Sequence, residues 1–233
     1  MFKKILFRYF YIISIMLFVA IMSAVAAIFV APWLEFSWYN AIFSVLGFSA
    51  IIVAFDFGIA IILRLVPFHL YAPPFIPFRP FKNERKFWRK TGIRKWKVIV
   101  PDLMKTLKVF DKTNLKHTDD PDYMFKFLCE MGYAEMMHIL SAIAGFAVLF
   151  VPIGWAVRGA VYIGSPDEVV LSLAQAAVFA VPLAVFNFVL NILPIFVQRY
   201  NRPVVLKLYQ RAKALEEMKK ADGTYEKKKN IDL

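Results

Sequence analysis

Four stretches of the chain are almost wholly apolar, at about 10–30, 41–63, 137–157 and 171–197. Each has the roughly 20 apolar residues that a helix needs to cross a hydrocarbon core about 30 Å thick, and no other stretch does. After Pro101 and Asp102 the pattern changes. Leu103, Met104, Leu107 and Phe110 recur at helical spacing against Lys105, Lys108 and Lys112, which predicts a basic amphipathic helix for a membrane surface. Residues 113–120 are polar and read as a turn. Asp120 as N-cap and Pro121 at the first helical position then predict a long helix that runs through Glu130 and enters the bilayer near His138. The last 30 residues read as a charged cytoplasmic helix that frays into a Lys-rich tail.

Ahead of the amphipathic segment lies a three-residue repeat, Pro74-Phe75-Ile76, Pro77-Phe78-Arg79 and Pro80-Phe81-Lys82. A polyproline II helix has three residues per turn and would align the three phenylalanines into a ridge. Such a ridge suits anchoring at the headgroup level or walling a lipid groove.

Charge orients these elements. Of the 29 Lys and Arg residues, three precede the first apolar stretch, fifteen lie between Arg64 and Lys126, ten follow from Arg199, and Arg158 stands apart. Because Lys and Arg are retained on the cytoplasmic side, both termini and the central loop are expected inside, with 31–40 and 158–170 outside. The expected fold is an all-α integral membrane protein with four transmembrane helices in two hairpins and a long cytoplasmic loop carrying interfacial helices. Its parts are an N-terminal transmembrane hairpin at 1–65, a cytoplasmic or interfacial loop at 66–136, a C-terminal transmembrane hairpin at 137–198 and a cytoplasmic tail at 199–233. The first stretch reads as a retained span, since its apolar run is longer than that of a signal peptide. The expected location is the cell membrane.

Composition agrees, because 60% hydrophobic and 17% aromatic residues are too many for an ordinary soluble fold. The +12 net charge gathers where anionic headgroups lie, so membrane lipids are the expected partners and nucleic acid is not. A single cysteine, Cys129, cannot form an internal disulfide, and no metal-ligand spacing is present.

Ionisable and amide side chains in or near a span are costly, so they are the candidates for function. Glu135 and His138 are three residues apart and share a helix face, and Glu130 lies about two turns before His138. An imidazole beside a carboxylate can take a proton from an alcohol near neutral pH; the alternative is a helix end finished by solvated polar groups. In the fourth helix Asn187, Asn191 and Gln198 form a polar stripe that must face the bundle, for chemistry or as hydrogen-bonding glue. Asp56 is a lone acid in the second span, a partner for that stripe or for a bound cation.

Three segments together resemble a known family. They are Arg94-Lys95-Trp96-Lys97 with Pro101-Asp102, then Ala134-Glu135 between Glu130 and His138, and Gln198-Arg199-Tyr200-Asn201-Arg202-Pro203. In order they resemble motifs of the glycosyl-4,4'-diaponeurosporenoate acyltransferase family. The chain departs from that pattern at Tyr133, Ile139 and Val204. The resemblance implies a membrane enzyme that moves a fatty acyl group from an activated thioester, such as acyl-CoA, to a hydroxyl of a lipid or glycolipid, a glycosylated carotenoid in the family's own name. It needs no cofactor or metal. It implies His138 as base, with Glu135 or Glu130 orienting the ring. Arg94, Lys95, Trp96, Lys97, Asp102, Asn191, Gln198, Arg199, Tyr200, Asn201 and Arg202 are then the substrate-binding set. The rival readings are a lipid-binding or assembly protein without catalysis, or an enzyme transferring another group such as a methyl.

Overall fold

The computed structural model describes residues 2–35, 37–72, 75, 78–97, 100, 115, 117–150 and 173–222, with side chains placed from Ile12 onward and from Ala174 in the last segment. Among these residues the structure is helical throughout its regular elements, and four helices are long and apolar enough to cross a membrane. The first span runs as helix α1 (Phe2–Val25), continues through a wider π-helical turn at Ala26–Val30, and ends in one more turn at Ala31–Trp33. The second span is α2 (Trp38–Leu65). The amphipathic helix expected at 101–112 and the external loop expected at 158–170 lie outside the described residues. Two short helices, α3 (Glu84–Lys90) and α4 (Ile93–Trp96), precede α5 (Pro121–Ala147) and the long α6 (Leu173–Ala221).

The chain divides into two compact units. The first contains residues 1–66, 96–101 and 135–195. Its core is made where the end of the first span and α2 approach through small side chains, Ala26, Ala31 and Ala41, with Val45, Phe48, Phe179, Ala180 and Leu183 filling the rest. Small residues let helix backbones come close where lipid supplies no hydrophobic drive between helices. Phe18 stacks on Phe186 at 3.8 Å between ring centres. Outside this core Met16, Phe29, Phe57, Ile61 and Ile62 are exposed, as lipid-facing side chains are.

The second unit contains residues 67–95, 102–134 and 196–233. Here the start of α5 is built as its sequence predicts: Asp120 Oδ1 accepts from the backbone N–H groups of Asp122 and Tyr123 at 3.0 and 3.1 Å. Met124, Phe127, Leu128 and Met131 of α5 then pack with Val205, Leu206, Leu208 and Tyr209 of α6. That apolar face packs the part of α6 that the sequence reads as a charged helix. Pro182, Pro194 and Pro203 each remove an N–H without breaking α6, as happens when neighbouring helices hold the freed groups.

The expected phenylalanine ridge does not form. Polyproline II has no internal hydrogen bonds, yet the Phe75 N–H bonds to Ala72 O and the Phe78 N–H to Phe75 O, at 3.2 and 3.0 Å. These turns swing Phe78 inward, where it is buried beside Tyr71 at 6.1 Å, while Phe75 and Phe81 stay exposed. Tyr71 also meets Tyr133 edge-on at 5.6 Å, and its carbonyl lies against Gly132 so closely that a Cβ there would collide with it. A backbone carbonyl cannot rotate away. Gly132→Ala is therefore expected to destabilise the protein by about 1–3 kcal/mol or more, and an unchanged thermal midpoint in detergent would reject the close approach.

Candidate functional site

Within the first unit, polar side chains from α2, α5 and α6 meet inside the membrane-spanning part. His138 of α5 places Nδ1 at 2.8 Å from Asn191 Oδ1 of α6. Asn191 Nδ2 donates to both the backbone O and the side-chain Oδ1 of Asn187, each at 3.0 Å. Asn187 Nδ2 in turn donates across to the backbone O of Ser141 at 3.1 Å. That crossing needs Gly145, since a Cβ at this position would stand 2.6 Å from Asn187 Nδ2. From α2, the carboxyl of Asp56 interacts with the side chains of Ser141, Asn191 and Asn187. Asn187, Asn191 and Ser141 are buried and His138 is half-buried. Glu135 belongs to the same unit and is buried.

Two of these residues escaped sequence reasoning. Ser141 and Gly145 lie one and two turns beyond His138, so a polar or small residue on the histidine's own face was the available signal. Asp56, left open between the amide stripe and a cation, interacts with the stripe. Of the residues taken as substrate-binding, Asn191 spends both ends of its amide on protein partners.

The remaining expected site residues fall mostly in the second unit. Arg94 and Lys95 are exposed on α4; Trp96 and Lys97, half-buried at its end, belong to the first unit. Asp102 lies outside the described residues. Glu130 is buried, Gln198 and Asn201 are half-buried, and Tyr200 is buried with the Arg85 guanidinium 5.5 Å above its ring. The two arginines differ sharply. Arg199 keeps part of its side chain in the open while its Nε lies 3.5 Å from Glu84 Oε1 and it donates to Arg79 O at 3.5 Å. Arg202 is fully enclosed, donating to Phe78 O at 3.4 Å with its guanidinium 5.3 Å from the Phe78 ring centre.

Glu84 is the group sequence reasoning passed over, although a lone acid within the basic run 79–97 was a visible signal. It is 1% exposed in the first turn of α3, and Trp88 Nε1 donates to its Oε1 at 3.5 Å. Burial raises its pKa above the ordinary 4.5 against the opposing pull of Arg199, Trp88, Arg202 and the Phe81 N–H. The folded protein thus holds this proton more tightly than the unfolded chain. The contribution to stability is full below 4.5 and is lost as pH rises through the higher folded value. Glu84→Gln cannot ionise, so its thermal midpoint should fall less than the wild type's across that interval. Parallel pH curves for the two proteins would show that Glu84 does not titrate with folding.

Four helices can cross a membrane, and the match to a family model supports an enzyme of the acyltransferase class. Residues 67–165 match the family model of glycosyl-4,4'-diaponeurosporenoate acyltransferase, the same family that the sequence motifs resemble. The matched segment holds Arg94–Lys97 and Glu130–His138, while the motif from Gln198 to Pro203 lies beyond it. No curated protein and no solved structure matches the chain.

Proposed function

We propose that the protein transfers a fatty acyl group from a thioester donor to a hydroxyl of a lipid or glycolipid at the cytoplasmic face of the cell membrane, with His138 as general base. The observation that carries this reading is the 2.8 Å contact between His138 Nδ1 and Asn191, which holds an imidazole inside the acyltransferase-matched segment. In the reaction, Nε2 takes the proton of the acceptor hydroxyl as its oxygen attacks the thioester carbonyl carbon. The tetrahedral intermediate collapses with cleavage of the carbon–sulfur bond, and the imidazolium returns the proton to the leaving thiolate. The products are an ester and a free thiol, and no enzyme nucleophile is needed. Exposed Arg94 and Lys95, and the partly open Arg199, have the charge to meet donor phosphates. The glycosylated carotenoid of the family's name is one acceptor of the required kind, an amphiphile with a sugar hydroxyl at the headgroup level.

The cytoplasmic assignment rests on the distribution of Lys and Arg. Tags placed before Met1 and after Leu233 should both be protected from an impermeant reagent in intact cells, while a reporter at Glu35 should be labelled. The opposite pattern would move the reaction to the outer face. The activity is tested with purified protein in vesicles, radiolabelled acyl-CoA and a glycosylated lipid: labelled ester should form together with free CoA in equal amount. No ester with any glycolipid or lipid hydroxyl tried would overturn the reading.

A further inference from the structure

We propose that Asp56, Gly145, Asn187 and Asn191 form a one-way hydrogen-bond relay that holds His138 in the Nδ1–H tautomer and so presents the lone pair at Nε2. The proposal rests on His138 as base and extends it to residues that touch neither substrate.

An amide can be turned end for end, and a neutral imidazole can carry its proton on either nitrogen, so a chain of such groups has no direction unless something fixes it. Here backbone carbonyls do, because they only accept. Ser141 O takes a hydrogen bond at 3.1 Å, and the atom offered to it must therefore be the Asn187 nitrogen. This turns Asn187 Oδ1 toward Asn191. The Asn191 amide then faces that oxygen and the Asn187 backbone O, both at 3.0 Å, with the Asp56 carboxyl as a further interacting group. Reversing Asn191 would set oxygen against oxygen in a medium that gives no water to relieve it. Its own Oδ1 is left pointing at His138 Nδ1, 2.8 Å away. An acceptor at that distance requires a proton on Nδ1, and the basic electron pair of the neutral ring is then on Nε2.

Gly145 and Asp56 act at a distance in this scheme. The glycine opens the room through which Asn187 reaches Ser141 O. The carboxyl, which interacts with Ser141 and both amides, supports the polarity of the relay by favouring the orientation that turns the remaining N–H of Asn187 toward it. These are positioning residues, and Asn191 is the one in contact with the base.

The chain has three histidines, so the tautomer can be read directly. Full-length protein carrying His69→Gln and His117→Gln, labelled with nitrogen-15 in histidine and placed in nanodiscs, has one imidazole to observe. At a pH where the ring is neutral, the Nδ1 resonance should be of the protonated type and the Nε2 resonance of the bare type. Asn191→Leu should release the ring to the Nε2–H form that an unrestrained histidine side chain prefers and lower kcat about 100-fold, the usual worth of a positioned base. Gly145→Ala and Asp56→Leu should mix the tautomers and lower kcat by roughly tenfold with KM little changed, as for residues that act through another. A wild-type spectrum showing Nε2–H overturns the relay without any variant having to fold. So does an unchanged tautomer in both Gly145→Ala and Asp56→Leu. If the tautomer follows Asn191 as expected while His138→Ala keeps full activity, the relay stands and the base-catalysed reading falls.

Discussion

His138→Ala is expected to lower the rate of acyl transfer by about 100-fold or more, the usual contribution of a positioned general base. The reason lies in what the substitution leaves intact. His138 is half-buried on a helix that alanine continues readily, and its partner Asn191 remains bonded to Asn187 through the other end of its amide. Loss of the ring removes the proton acceptor, while the hydrogen bonds from Asn187 to Ser141 and Asn191 persist. The fall should therefore appear in kcat and in kcat/KM alike, because the interaction removed is made in the transition state. His138→Gln keeps a side-chain amide near Asn191 but has no basic nitrogen, so it should be as inactive as the alanine variant. Initial rates at matched protein content, with thermal midpoints recorded alongside, decide the matter. Near wild-type ester formation by His138→Ala would make this histidine a packing residue and remove the base from the mechanism.

What the sequence tells of such a protein follows from the solvent. Lipid requires long apolar runs, so the four spans can be read from hydropathy alone, and the Asp120–Pro121 helix start from local capping chemistry. The same solvent makes Asn187, Asn191 and Asp56 conspicuous, since amides and acids in a span must be satisfied from within the protein. Which partner each takes is another matter. Asn191 bonds His138 across 53 residues, and nothing in periodicity reveals which ring nitrogen it meets. The misplaced ridge of Phe75, Phe78 and Phe81 has a similar cause. A three-residue repeat satisfies a polyproline turn locally, but burying Phe78 beside Tyr71 and under Arg202 requires turns that only long-range packing selects. Local rules located the helices, and non-local contacts decided what the polar groups between them do.

The motif from Gln198 to Pro203 supplies the other large effect, because its two arginines have unlike surroundings. Arg202→Ala should cost about 3–5 kcal/mol of stability, the usual consequence of removing one member of a buried charged network. The Phe78 carbonyl would lose its donor, the Phe78 ring its cation, and Glu84 one of the positive charges that favour its ionised form. Arg202→Lys keeps the charge but replaces the planar fork with a compact ammonium, so it should recover only part of that loss. Arg199→Ala should differ in kind. Its side chain is 23% exposed and its ion pair with Glu84 is long at 3.5 Å, so its removal should cost less stability than that of the enclosed Arg202. What it should change is binding of the donor: a higher KM for acyl-CoA, with the difference from wild type shrinking as salt is raised, because the guanidinium would be meeting phosphate. The two measurements, thermal midpoint and KM against salt, separate the roles. An Arg202→Ala protein as stable as the wild type but with weakened donor binding would reverse this assignment and make the buried arginine the one that reaches the thioester.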